Sequence, residues 1–544
     1  MPKPLIRRAR EVLKRQEPWL QHWDDLARVM LPRMRGFSEN IQAGDSRVDE
    51  IYDGTPMRDA RGLAHAIGMT RPDGPKWFFI RAEDEGIEQS GHDARAWLED
   101  SENRLLNAMY EPRAQFRQAM AEVDLMLSVF GTGPFFVGEN WNNDGFLYHA
   151  IPLKEAAIDW SSAGLPIGVY RFRRMTARQA ENHFNLLGGE LGEKAKRAIS
   201  DKRYEEQFTY IHAVLPRGDR SAGPYKVFSR EMPFAGMWVE EESEHIVLEE
   251  GFHEMPYMIP RMDTVPGEGY GRSPGMIALP DANTLQAMGE TILVAGQRAA
   301  DPPIMAPNDG SFSEANTFPG GITYYDVNAA QAVRGNPLFT MPTGANLPIT
   351  RDMQRDVREQ VGMAFFRDRF NLPVGGPEMT ATEIIERREE FLREAGPLFS
   401  RLEAEYIAPL VERSFAIMLR AGGFAEIPPS LQGRNVNFEY ESPLKLIREK
   451  MDAQIATLFK MEVAETAQIN PDAIDLFDID AYLRFQARAN RVPTTLVRRA
   501  EDVDALRQAR AKAQQEASQL AAAQQMAEAA DKGASAIGKL GAVG

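Results

Sequence analysis

The 544-residue chain contains no cysteine. Disulfides, thiolate zinc sites and cysteine nucleophiles are excluded together, and the composition suits a reducing compartment. Histidine is scarce, with eight scattered residues, and His253-Glu254 has no second histidine at helical spacing, so no metal centre is expected. The chain also lacks a basic excess. Its 63 Lys and Arg against 79 Asp and Glu leave a net charge of −16. That excludes a surface gripping nucleic acid broadly, though not contact through a few local arginines. No run of about 18 apolar residues occurs, so no membrane-spanning helix is expected. The N-terminus carries Arg7, Arg8, Arg10, Lys14 and Arg15 without the apolar core of a signal peptide, and these read as a solvated helix face. HExxH, P-loop and GxSxG patterns are missing. Gly267-Glu-Gly-Tyr-Gly271 lacks the P-loop lysine and reads as a joint before a helix. No catalytic, cofactor-binding or metal-binding residue is expected.

What is present is ordinary globular material, 43% hydrophobic and 26% charged, in a chain long enough for several domains and a sizeable core. Leu13, Trp19, Leu20, Trp23, Leu26 and Met30 recur at helical spacing. Thr55-Pro56 predicts a capped helix running to about Met69, and further helices are expected over Asp93–Met109 and Arg113–Phe130. Between about Gly133 and Met262 short β-prone runs are separated by Gly, Asn, Asp and Pro: 135–137, 146–148, 169–172, 210–214 and 237–239. They predict a β-rich subdomain, with one helix opened by Thr176.

Ser273-Pro274 opens a helix that runs to Ala300 and stops at Asp301-Pro302-Pro303, about 40 Å at 1.5 Å per residue. The next 48 residues, Pro302 to Ile349, hold seven prolines and five glycines and cannot be a long helix; 323–325 and 338–339 read as strands. Thr350 then caps a helix expected over Arg351–Phe370, ended by Asn371-Leu372-Pro373. Long helix, compact insert and long helix suggest a stalk with a tip. On the second helix Arg351, Arg355 and Arg358 sit at i, i+4 and i+7, hence on one face, with Asp352, Asp356 and Glu359 one position after each. This pattern suits an exposed, salt-bridged helix, and equally pairing between subunits or light contact with passing phosphates. Thr380 and Glu383 form a capping box for a third long helix, kinked at Gly396-Pro397 and ended at Gly422-Gly423. From about Thr495 the tail is rich in Ala and Gln, with Leu506, Ala513, Leu520 and Ala527 seven apart. A self-associating helix and a frayed tail both fit.

Met379-Thr-Ala-Thr-Glu-Ile384, Arg401-Leu-Glu-Ala-Glu-Tyr-Ile-Ala-Pro-Leu-Val411 and Ile427-Pro-Pro-Ser430 together resemble the portal, or head-to-tail connector, proteins of short-tailed bacteriophages. Tyr270-Gly-Arg-Ser-Pro-Gly-Met-Ile-Ala-Leu-Pro280, Ala300-Asp-Pro-Pro303, Tyr52-Asp53, Trp77-Phe78 and Arg173-Arg-Met-Thr-Ala-Arg178 extend the likeness, in order, over most of residues 1 to about 450. The resemblance implies an α+β, mainly α ring subunit without enzymatic activity, with wing, two-helix stem, small clip and helical crown. The wing would be 1–271 and 380–440, the stem helices 272–301 and 350–371, the clip 302–349 and the crown 441–544. A channel loop would occupy 372–379, with Leu372, Pro373, Val374, Gly375, Gly376, Pro377 and Glu378 as its candidate residues. Arg351, Arg355 and Arg358 become DNA-channel or intersubunit candidates. Implied partners are further copies of the chain in a ring of twelve, double-stranded DNA without sequence preference, a packaging terminase, a tail adaptor, and capsid and scaffold proteins, with no membrane and no cofactor. The implied location is the portal vertex of a virion assembled in host cytoplasm. Two other classes remain open from the residues: an adaptor or internal core protein of a virion, and a cytoplasmic enzyme with an unrecognised carboxylate site.

Overall fold

In the computed structural model the described residues are 2–37, 51–71, 76–82, 92–140, 145–217, 232–308, 318–326, 339–340, 347–367, 400–433, 436–440, 443–468, 470, 475–489, 498 and 500–540. The chain divides into two compact units, Met1–Leu444 and Lys445–Gly544.

In the first unit the elements run α1 (Pro2–Met30), α2 (Thr55–Gly68), β1 (Phe78–Ala82), α3 (His92–Tyr110), α4 (Phe116–Phe130), β2 (Phe135–Glu139), β3 (Phe146–Ala150), β4 (Ala156–Trp160), β5 (Pro166–Thr176), α5 (Ala177–Leu187), α6 (Glu193–Ser200), β6 (Gln207–Pro216), β7 (Phe234–Glu240), β8 (His245–Phe252) and β9 (Tyr257–Met258). After them come α7 (Pro274–Ala300), β10 (Ile304–Asn308), β11 (Ile322–Asp326), β12 (Phe339–Thr340), α8 (Leu347–Ala364), α9 (Ala408–Arg420) and β13 (Val436–Tyr440).

The expected β-rich stretch divides into two sheets, a three-stranded one in the order β3-β2-β9 and an antiparallel meander of β4 to β8 in sequence order, and it holds two helices, α5 and α6, where one was expected. The meander has two apolar faces, which is why its strands read as continuous rather than alternating. One face takes the first half of α1 through Ile6, Ala9 and Val12. The other takes α5 and α6 through Ala180, Phe184, Ala195 and Ala198. Thr176 opens α5 with a reciprocal capping box to Gln179, as its sequence position predicts. The second half of α1 turns into the main core. There Trp23, Leu26 and Met30 meet α2, α4, β2, β3 and the start of α7, and fully buried Trp77, Phe130, Phe135, Tyr148 and Tyr406 join them. Arg8 and Arg10 are bonded to Asp159 of β4 and to Glu241, at 2.7 and 2.8 Å. This part of the expected solvated basic face is instead a seam between α1 and the sheet.

Several expected boundaries move. Thr55 is the first residue of its helix and not its cap: Gly54 holds that position, and the Asp53 carboxylate takes the Thr55 N–H at 2.9 Å. The helix expected over Arg113–Phe130 is interrupted at Gln115, whose φ of 57° separates a short 3-10 turn from α4. The second stalk helix begins at Leu347, three residues before Thr350, because Pro348 is tolerated in a first helical turn. It stops at Ala364, and Phe366 has a left-handed φ of 57°. Its expected end at 371 and the helix start at Thr380 with the Gly396-Pro397 kink fall outside the described residues.

The second unit contains α10 (Pro443–Ala467) from Lys445 onward, α11 (Ile479–Ala489) and α12 (Ala500–Leu540). Gln486 donates to the Ala453 carbonyl at 2.8 Å, and Arg507 pairs with Asp480. The tail is therefore helical over its last 41 described residues.

Candidate functional site

Two long helices and the module between them are the feature that carries the functional argument. α7 starts at Ser273, whose hydroxyl accepts the Met276 N–H and donates to the Val129 carbonyl at 2.6 Å. Cap and anchor are thus one side chain. The helix passes through Pro280 without ending. α7 and α8 pack against each other. The module joining them contains a three-stranded sheet in the order β11-β10-β12. β10 and β11 pair in parallel and β10 and β12 antiparallel. Ile304, Phe318, Ile322 and Tyr324 are exposed apolar side chains at this tip.

The helix pair is fixed to the core through Asp53, only 4% exposed. Gln286 of α7 accepts the Tyr52 and Asp53 N–H groups at 2.9 and 3.1 Å and donates to the Asp53 carbonyl at 2.8 Å. From α8, Gln354 and Arg358 donate to the Asp53 carboxylate at 3.3 and 2.8 Å. One buried residue therefore ties both helices to the turn before α2. Burial alone would raise the Asp53 pKa; the Thr55 and Arg358 hydrogen bonds together outweigh it and hold the carboxyl below its ordinary value. The fit is close elsewhere too. A Cβ on Gly289 would lie 2.6 Å from the Tyr52 Cβ, so α7 can approach this turn only with glycine there.

The helix after the second stalk segment is held by two further clamps, both on the π-helical turn Glu403–Ile407. Arg261 makes a two-pronged pair with Glu405 at 2.9 and 2.7 Å. Arg71, Asp124 and Tyr406 form a closed buried triad. Arg71 donates to both Asp124 oxygens at 2.7 and 2.6 Å, and the Tyr406 hydroxyl donates to one at 2.9 Å. Burial disfavours the Arg71 charge, and the facing Asp124 more than offsets that. The inserted residue of a π turn swings these two neighbouring side chains onto separate partners.

A scan against family models matches residues 3–497 to the bacteriophage head to tail connecting protein family. The chain belongs to that family. It is 30% identical to a probable portal protein of Bordetella phage BPP-1, over 97% of this chain and 95% of that one. It is 27% identical to the portal protein of Salmonella phage epsilon15, over 97% and 94% respectively. A solved chain titled virion of native gene transfer agent particle overlays 74% of this chain and 85% of its own length at 11% identity, with a TM-score of 0.34, too low to inform the fold. The protein is a head-to-tail connector protein of a tailed-phage virion, in a family of structural connectors.

The three candidate arginines have different surroundings. Arg358 borders the buried side of α8 and is committed to Asp53, at 2.8 Å. Arg355 is exposed and touches only Glu359 among the described residues, at 3.4 Å. Arg351 is exposed and has no ion pair among the described residues. The channel-loop candidates Leu372 to Glu378 lie outside the described residues. Sequence reasoning missed Asp53, Gln286 and Gln354 as the joint of the helix pair. The only available signal was Tyr52-Asp53 within the family likeness. Among the described residues no helix is long and apolar enough to cross a membrane, and no group of three or more acidic or histidine side chains is placed to hold a metal.

Proposed function

We propose that twelve copies of the connector subunit close into a ring at one capsid vertex, and that double-stranded DNA passes along its axis during packaging and ejection. α7 and α8 are the stem, the module between them the clip, and residues 372–378 the channel loop. Residues 1–271 and 380–440 form the wing against capsid and scaffold proteins, and 441–544 the crown. The clip docks first a packaging terminase, which supplies the energy, and later the tail adaptor. Assembly takes place in host cytoplasm. The observation that carries this reading is the pair of packed long helices with a small sheet at its tip, tied to a large α+β body by the Asp53 joint, the Ser273 anchor and apolar packing of the helix bases. Such a unit can hold a rigid passage while presenting exposed apolar side chains to successive partners.

Negative-stain images of the purified protein viewed end-on are expected to contain rings with a central hole. A protein that stays monomeric under every assembly condition overturns the reading. Deleting 372–378 is expected to leave rings intact and to shorten the DNA retained in particles. Normal DNA length in particles built on such rings removes the channel-loop role.

A further inference from the structure

We infer that the exposed face of α8 joins neighbouring copies, an arginine stripe on one subunit meeting a carboxylate stripe on the next. The inference rests on the ring reading above and assigns a partner to a surface that reading leaves unassigned. Gln354, Val361 and Phe365 are buried and define the inner side of the helix. Arg351 and Arg355 lie on a stripe beside it, and at roughly 100° per residue Asp352, Asp356 and Glu359 lie on a second stripe about 100° further round. All five charged side chains are exposed. Met363, 62% exposed, lies within the acidic stripe.

Within one helix the two stripes neutralise each other only in part, at Arg355, the one arginine with acidic neighbours at i, i+3 or i, i+4 in the second stripe. Adjacent residues do not face one another, and only i, i+3 or i, i+4 pairs meet. The contact made is the 3.4 Å Arg355–Glu359 pair. Arg351, Asp352 and Asp356 have no ion pair among the described residues. A closed ring uses heterologous contacts, in which one surface of a copy meets a different surface of the next. Two stripes of opposite sign on one exposed arc supply both halves of such a contact. DNA is a poorer occupant, because a phosphate backbone reaching the arginines would also face the carboxylates. Each exposed pair is weak alone, but it recurs at every boundary of the ring.

Two variants test this. R351E/R355E makes both stripes acidic, and D352K/D356K/E359K makes both basic; Arg358 is left alone because it anchors the helix. Each variant alone is expected to lose rings at least about tenfold relative to wild type, through like-charge opposition at every boundary. Mixed, they are expected to recover rings in which the two variants alternate, which requires an even copy number; native mass spectrometry and negative-stain counting read this directly. Recovery on mixing also establishes that both variants are folded. Rings formed by either variant alone at the wild-type level, or no recovery on mixing, overturn the inference. A wild-type chain that forms no rings under the same conditions overturns the ring reading itself, and the inference with it.

Discussion

Asp53 accepts hydrogen bonds from Thr55, Gln354 and Arg358 while almost fully buried. Replacing it by alanine removes three bonds and frees a half-exposed arginine, at an expected cost of about 2–4 kcal/mol by urea unfolding. Its carboxyl titrates below the ordinary value, so its contribution is present above the unfolded-state pKa and lost as pH falls through the folded one. The stability gap between wild type and D53N should therefore hold at pH 7 and close on acidification below the carboxylate range. Glu250 has the opposite sign. Burial raises its pKa to about 7, so its ionisation opposes folding as pH climbs from the ordinary carboxylate value through that point. E250Q is expected to stabilise the protein by about 2 kcal/mol at pH 8 and to change little at pH 4. An equal effect at both pH values would remove this account. Neither carboxylate stands out among 79 acidic residues. What distinguishes each is the burial created by folding, and for Asp53 also partners some 230 and 300 positions away in the chain.

At the level of elements, local chemistry in the sequence located most of the helices of the first unit, and it set the exact start at some of them but not at Thr55 or Thr350. Ser273 with Pro274 and the stop at Asp301-Pro302-Pro303 bound α7 as expected, and Thr176 opens α5, because caps and prolines act on their own turn. Pairings between distant segments were not legible. β1 pairs with β13 across more than 350 residues, through Ile80 opposite Phe438 and its neighbours, and no short-range signal encodes that partner. The glycines of α7 also illustrate the limit. Gly289 and Gly296 look equivalent in sequence, yet a Cβ would collide with Tyr52 at the first and meet nothing within 4 Å at the second. G289A is expected to cost about 1–3 kcal/mol in overpacking, less the roughly 1 kcal/mol that alanine gains in a helix. G296A is expected to stabilise by about 0.5–1 kcal/mol. Thermal unfolding of the unassembled chain compares the two, and equal shifts would mean that the Tyr52 contact is not a constraint.

At the scale of the whole molecule, the family likeness was legible because its motifs recur in order along most of the chain; what the charged face of α8 meets was legible only as alternatives, because arginines at i, i+4 and i+7 suit pairing within the helix, between subunits or with phosphates alike. Charge nevertheless constrains assembly. Each copy carries −16, so in the proposed ring copies repel at long range, while the proposed contact between α8 stripes attracts only at short range. Salt screens these terms differently. The Debye length falls from about 30 Å at 0.01 M to about 8 Å at 0.15 M and 3 Å at 1 M. Moderate salt should therefore remove repulsion between subunit bodies while pairs at a few ångströms survive, and high salt should weaken the pairs as well. The ring fraction of the wild-type protein, measured by mass photometry at fixed concentration, is expected to rise from 0.01 M to about 0.15 M and then fall towards 1 M. R351E/R355E, lacking the attractive half, should show the rise without the fall. A wild-type ring fraction that climbs steadily to 1 M would mean that apolar contacts, such as those available to Met353 and Met363, hold the boundary and that the charged stripes contribute nothing to it.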